Sequence, residues 1–411
     1  MNKKKTTYAI YCFTLTLTVL LVTGFSYHTN KTRSHTQSGL HYEGTYALYA
    51  QKTTAFNFRW ITPVEDVGRY EVLDKNNKLI VSGETAASRT HQIDLDQAIK
   101  GPFTFKFGGV NEGMHKVHIR KNFKLESTDY KKTDSIYVVG DVHGRYDEMI
   151  ALLKNSKVID QDLNWMAGSA HIVFLGDIFD RGNDVTKVLW FIYSLEEKAA
   201  EKGGKVHLVL GNHEIMTMTK DLRYLSRKER NIAIAHGLSY DKLFHPIDSY
   251  LGAWLRTKVS ILKIDQIVFA HGGVLDLGPF TLESFNKQAF DYMKDPIYLD
   301  LMQDAPDTTK YEAQQWFKMR DFFYYENGPY WYRGYVKYDT LGPQLDAMLD
   351  KHKSKIHVVA HTPLETITQR YDGKLLTTDL KEAATELLLL ERKKNKYKRF
   401  KIDSDGVKTE L

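Results

Sequence analysis

Ile136-Tyr137-Val138-Val139-Gly140-Asp141-Val142-His143-Gly144 joins four apolar residues to a turn that carries an aspartate and a histidine. The same arrangement returns about thirty-five residues later in Ile172-Val173-Phe174-Leu175-Gly176-Asp177-Ile178-Phe179-Asp180-Arg181-Gly182, and again in Val206-His207-Leu208-Val209-Leu210-Gly211-Asn212-His213-Glu214. A short apolar run bounded by Gly-Asp or Gly-Asn reads as a buried strand. The segments after the first two carry helical spacing, with Met149, Ile150, Leu152 and Leu153 on one apolar face and Val185, Val188, Leu189, Ile192 and Leu195 on another. Strands alternating with helices, at one strand-helix unit per motif, predict an α/β fold. In such sheets ligands bind beyond the carboxyl ends of the strands, where these polar turns stand.

Two further histidines follow strand-like runs, His271 in Ile267-Val268-Phe269-Ala270-His271 and His361 in His357-Val358-Val359-Ala360-His361. A lone histidine after a strand is an ordinary structural residue; five ligand-bearing turns in one chain form a set. Imidazole and carboxylate ligands suit Mn, Fe or Zn rather than Ca.

Ahead of this region, residues 41–126 show period-two alternation, as in Phe56-Asn57-Phe58-Arg59-Trp60 and Phe103-Thr104-Phe105-Lys106-Phe107. Asp74-Lys75-Asn76-Asn77 is turn chemistry between two such runs. The pattern predicts a small all-β domain of β-sandwich type. Residues 28–40 are polar and read as a linker. Lys3, Lys4 and Lys5 precede an uncharged apolar stretch from Tyr8 to Phe25, so residues 1–27 read as a signal peptide or a retained membrane anchor. An exported or membrane-anchored, extracytoplasmic protein is expected. Cys12 is the one cysteine, which rules out an intrachain disulfide. A net charge of +6 from 57 basic and 51 acidic residues gives no basis for nucleic-acid binding. The basic run Arg392 to Lys401 alternates with Tyr397 and Phe400 and reads as a solvated edge strand.

Gly-Asp-x-His-Gly, Gly-Asp-x-x-Asp-Arg-Gly, Gly-Asn-His-Glu and the two later histidines together resemble the calcineurin-like metallophosphoesterases. The intact Asp180-Arg181-Gly182 and Gly211-Asn212-His213-Glu214 are similar to the phosphoprotein phosphatase branch. Asp221-Leu222-Arg223-Tyr224, Leu251-Gly252-Ala253-Trp254-Leu255 and Trp331-Tyr332-Arg333-Gly334 are similar to the bacterial-type Shewanella-like phosphatases. The resemblance runs from about Asp134 to beyond His361 and says little of Tyr42 to Leu125; it implies a metallophosphoesterase β-sandwich with flanking helices, expected over residues 132–405.

It also implies roles. Asp141, His143 and Asp177 would hold one metal, and Asp177, Asn212, His271 and His361 a second, with Asp177 bridging. Two such ions, about 3.5 to 4 Å apart, clamp a phosphate and acidify a bridging water that attacks in line. His213, oriented by Asp180, resembles the acid that protonates the leaving alkoxide. Arg181 and Arg333 are candidate phosphate clamps, although Arg223 and Arg256 stand in comparable contexts, and Asn212 would also contact substrate. The expected function is two-metal hydrolysis of phosphate monoesters, with phosphoprotein (Ser/Thr or Tyr) as substrate. A nucleotide or dinucleotide polyphosphate hydrolase is the alternative within enzymes. A non-catalytic envelope binding protein is the alternative outside them, and loss of a ligand would betray it. A purple acid phosphatase is disfavoured, because it needs a ligating tyrosine where this chain has Asp180.

Overall fold

A computed structural model describes residues 49–52, 56–95, 99, 101–394 and 396–411, all of them within one compact unit. The expected export segment and linker lie outside the described residues. Among the described residues no helix is long and apolar enough to cross a membrane.

Strands β1 (Tyr49–Lys52), β2 (Phe56–Asp74), β3 (Leu79–Leu95), β4 (Phe103–Gly109) and β5 (Gly113–Ile119) form one antiparallel sheet. The long β2 pairs with β1 and then β4 along one side and with β3 along the other. The turn read at Asp74–Asn77 is the β2–β3 hairpin: Asp74 Oδ1 accepts the Asn76 N–H at 2.8 Å, and Asn77 takes φ 61°. Register shifts between Ile61 and Asp66 and between Val67 and Arg69 bend the ladder. The bend lets the two halves face each other, so that Phe58 stacks on Phe105 at 4.0 Å and Trp60 meets Phe105 at 6.1 Å. The strands read from the sequence as a sandwich therefore share one hydrogen-bonded sheet folded over an aromatic core.

The remainder contains two six-stranded sheets. Their strands are β6 (Asp129–Tyr130), β7 (Ser135–Val139), β8 (His171–Phe174), β9 (Lys205–Leu208), β10 (Ile261–Ile264), β11 (Ile267–Ala270), β12 (Ile356–Val359), β13 (Thr368–Arg370), β14 (Leu375–Thr377), β15 (Glu386–Lys393), β16 (Lys396–Asp403) and β17 (Lys408–Glu410). One sheet runs β9-β8-β7-β15-β16-β17, with β7, β8 and β9 parallel, and the other runs β6-β10-β11-β12-β14-β13. Ile136, Val138, Val173, Phe269, Val358 and Leu388 meet between the sheets with no exposure. Alternate residues such as Val139, Ile172 and Phe174 turn outward to pack with helices α1 (Tyr146–Asn155) and α2 (Val185–Ala200). The strands are buried on both faces, which explains their near-continuous apolar sequences. The basic run lies one position in from the edge: β16 is covered by β17, which pairs Phe400 with Glu410.

The N-terminal sheet packs on the two-sheet body through Arg120, whose guanidinium meets Glu196 of α2 at 2.8 Å and whose backbone N–H donates to Tyr250 Oη at 2.6 Å. Lys258, fully buried, bonds to both Glu126 and Glu196 just ahead of β10.

Candidate metal centre

All five ligand-bearing turns open at one end of the sandwich, each directly after β7, β8, β9, β11 or β12. Close backbone approach makes this possible. A Cβ on Gly140 would fall 2.1 Å from the Thr378 carbonyl oxygen, and Gly176, at φ 85°, sits where a Cβ would fall 2.4 Å from the Gly211 nitrogen. Non-glycine residues here also take left-handed backbone: His143 (φ 47°), Asp177 (50°), Asp180 (68°), Arg181 (64°) and His361 (64°). Such conformations cost free energy and persist where the surroundings over-determine them, as they do at functional sites.

Glu214, given no role by the sequence, is one of those determinants. Its carboxylate accepts the N–H groups of Asp177 (2.8 Å), Ile178 (2.7 Å) and Gly211 (2.7 Å), locking the second and third turns together from the first turn of helix α3 (Asn212–Met218).

Asp177 Oδ2 is the meeting point. It lies 3.9 Å from His143 Nε2, 3.7 Å from His213 Nε2 and 3.2 Å from His271 Nε2. On one side Asp141 Oδ2 is 3.6 Å from His143 Nε2. On the other, His271 Nε2 is 2.9 Å from Asn212 Oδ1 and 3.1 Å from His361 Nδ1. Two groups of ligand atoms, from His143, Asp177 and His213 and from Asp177, His271 and His361, each fall within 4.8 Å of one another. The six expected ligands thus converge around one shared carboxylate, and His213 lies within the first group.

The imidazoles are oriented from behind. His143 Nδ1 bonds the Phe179 carbonyl at 2.7 Å and His271 Nδ1 bonds that of Leu175 at 2.7 Å, so each Nε2 faces the centre. His213 Nδ1 bonds Asp180 Oδ2 at 2.6 Å. The Nε2 atom of His143 is buried without a hydrogen-bond partner, as expected of an atom aimed at a cation.

The electrostatics agree with the donor set. Burial by itself would raise the Asp177 carboxyl, yet His271, His213 and His143 hold it well below the usual carboxylate range. Burial opposes protonation of His271, but Asp177 and Asp141 lift it to about 10. For His361, burial and the neighbouring His271 push the value down to about 2. The buried carboxylates draw positive charge to themselves, a demand that divalent ions on these nitrogen and oxygen ligands would satisfy.

Arg333 reaches this centre, with Nη2 3.5 Å from His361 Nδ1. Arg223 is instead committed to Asp221 through bonds of 2.8 and 2.6 Å, and Arg256 to the Pro246 carbonyl. Arg181 is exposed and lines a cavity of about 440 Å³ with His143 and Arg145. The aromatic segment 322–332 splits. Phe323 and Tyr330 are buried, whereas Trp331 stands edge-on to His361 at 6.1 Å. Sequence reasoning missed Asp379, which is 5% exposed and raised to about 8, by burial first and by the nearby Asp141 next.

The profile of the family described as calcineurin-like phosphoesterase matches residues 135–374. Shewanella-like protein phosphatase 1 of Plasmodium berghei is 26% identical over 248 residues, covering 58% of this chain and 66% of that protein. A symmetrical bis(5'-nucleosyl)-tetraphosphatase of Buchnera aphidicola is 32% identical over 152 residues, covering 34% of this chain and 45% of its own length. This chain thus spans less than two thirds of either relative. A solved structure of a cold-active protein tyrosine phosphatase superposes with a TM-score of 0.67 at 26% identity, covering 89% of this chain and 96% of that one.

Proposed function

The chain belongs to the calcineurin-like phosphoesterase family, and on that premise we propose that it is a two-metal phosphomonoesterase acting on phosphoproteins. The observation that carries the proposal is the position of Asp177 Oδ2 between His143 Nε2 at 3.9 Å and His271 Nε2 at 3.2 Å, a carboxylate set to serve two ions. Asp141, His143 and Asp177 would hold one ion, and Asp177, Asn212, His271 and His361 the other; Mn, Fe and Zn all suit this donor set. When bound, the pair supplies Lewis acidity to the phosphate and a water acidic enough to attack at neutral pH.

The chain's own groups do the rest. Arg181 and Arg333 fork hydrogen bonds onto phosphate oxygens, and the Asn212 amide adds a further contact. His213 delivers a proton from Nε2 to the leaving oxygen while Asp180 accepts its Nδ1–H and steadies the imidazolium. Burial works against the charged imidazole, whereas Asp177 and Asp180 together raise the group above its ordinary value.

The similarity to a tetraphosphatase keeps phosphoanhydride hydrolysis as the second reading, since the same centre would serve it. No expected ligand is missing, which counts against a non-catalytic binding protein. The apolar stretch 8–25 behind three lysines supports an extracytoplasmic location, exported or anchored; fractionation of cells expressing the full chain tests it.

The functional test is hydrolysis of a generic aryl phosphate by metal-stripped protein with Mn restored, beside Asp177→Asn and His213→Asn. Activity should return with metal and fall by about 10²–10⁴-fold in His213→Asn, the range for loss of a general acid, and further in Asp177→Asn. A wild-type rate in either variant would contradict the assignment, and cleavage of a dinucleotide polyphosphate but no monoester would move the second reading to first.

A further inference from the structure

Tyr224 is 49% exposed, yet its ring stands beside that of the buried His213, with centroids 5.4 Å apart. Nothing in the proposed chemistry uses it. Its position is nevertheless fixed. The Tyr224 carbonyl accepts the Arg181 N–H at 3.1 Å, which ties the residue to the turn that carries Asp177 and Asp180. Arg223, pinned by its paired bonds to Asp221, places its guanidinium 5.9 Å from the Tyr224 ring centroid. A large aromatic side chain is thus held against the His213 imidazole while keeping about half its surface open.

If His213 protonates the leaving oxygen, whatever is bonded to that oxygen must lie on the solvent side of His213. Tyr224, half exposed and with its ring against that imidazole, is placed to meet it. Trp331, which stands edge-on to His361, is partly buried with its indole N–H spent on the Phe323 carbonyl at 2.8 Å, so it serves the framework. We propose that Tyr224 is a specificity-determining residue, a stacking platform for the leaving group that favours aryl phosphates over alkyl phosphates. The inference rests on the phosphomonoesterase reading and on His213 as its acid. Offset or edge-on ring contacts with a tyrosyl leaving group would add selectivity that a seryl group cannot draw on.

The test compares kcat/KM for two peptides of one sequence, carrying phosphotyrosine or phosphoserine, with the Mn-loaded full chain as wild type, Tyr224→Phe and Tyr224→Ala. Tyr224→Ala should lower the phosphotyrosine-to-phosphoserine ratio by roughly threefold to tenfold, the size of one aromatic pair, and Tyr224→Phe should keep the wild-type ratio. An unchanged ratio in Tyr224→Ala, including equal losses on both peptides, overturns the platform and leaves the phosphatase reading standing. Failure of the wild type on both peptides and on a generic aryl phosphate removes that reading and this inference with it.

Discussion

In the N-terminal sheet the buried side chains are rings packed on rings; beyond the carboxyl ends of β7, β8 and β9 they are imidazoles and carboxylates packed on each other. Phe58, Phe103 and Phe105 are buried without exposure through removal of apolar surface from water, and their backbone is ordinary extended strand. Asp177 and His271 are as deeply buried, but they are held there by oriented hydrogen bonds, opposing charge and left-handed turns. One region is built to be stable. The other is built to hold groups that would rather be solvated, and the stability of its surroundings keeps it in place.

The contrast is broken first by deleting a ring. Phe105→Ala should cost about 3–5 kcal/mol, as for other buried aromatic truncations, read by urea unfolding. Hydrolysis per folded molecule should stay near wild type, and a large loss of specific activity would mean that the aromatic sheet shapes the centre after all.

Glu229 sharpens the same comparison, being a fully buried carboxyl without imidazole partners. It lies on helix α4 (Arg227–Ala235) and accepts hydrogen bonds from Thr186 Oγ1 at 2.8 Å and Tyr240 Oη at 3.3 Å. Burial pushes it up to about 7 despite those bonds, whereas the imidazoles around Asp177 reverse the effect of burial. Because its folded value lies above its unfolded one, its contribution is complete below pH of about 4.5 and is lost as pH rises through about 7. At about 1.36 kcal/mol per unit the loss is roughly 3 kcal/mol. Wild-type stability should therefore fall relative to Glu229→Gln between pH 5 and pH 8. Parallel pH profiles of the two proteins in urea unfolding would sink this account of Glu229.

Much of the catalytic body was legible because its signals are local. An apolar run that ends in Gly-Asp, Gly-Asn or Ala-His marks both a strand and the ligand-bearing turn at its end, and β7, β8, β9, β11 and β12 stand where those runs were read. The remainder depends on contacts between distant segments. Asp379 comes after β14 in a plain Thr-Thr-Asp-Leu string, and only the sheet order brings its backbone against Gly140. Glu214 reads as the last letter of a motif until its carboxylate is seen holding Asp177 and Ile178. In the N-terminal region, alternation gave the strands, but the folding of one sheet over itself comes from register shifts within β2 and β3 that period-two patterning does not encode. The charges of the basic run suit an edge, and the short β17 that covers it has too few residues to announce itself.

The central claim is that Asp177 joins two metal positions into one catalytic centre, and titration of Mn into the metal-stripped chain, following bound metal and aryl phosphate hydrolysis together, tests it most directly. Two equivalents should bind per chain, with hydrolysis rising as the second site fills, and Asp177→Asn should lose both the second equivalent and the activity. Full hydrolysis at one equivalent, or two equivalents retained with activity in Asp177→Asn, would contradict the account.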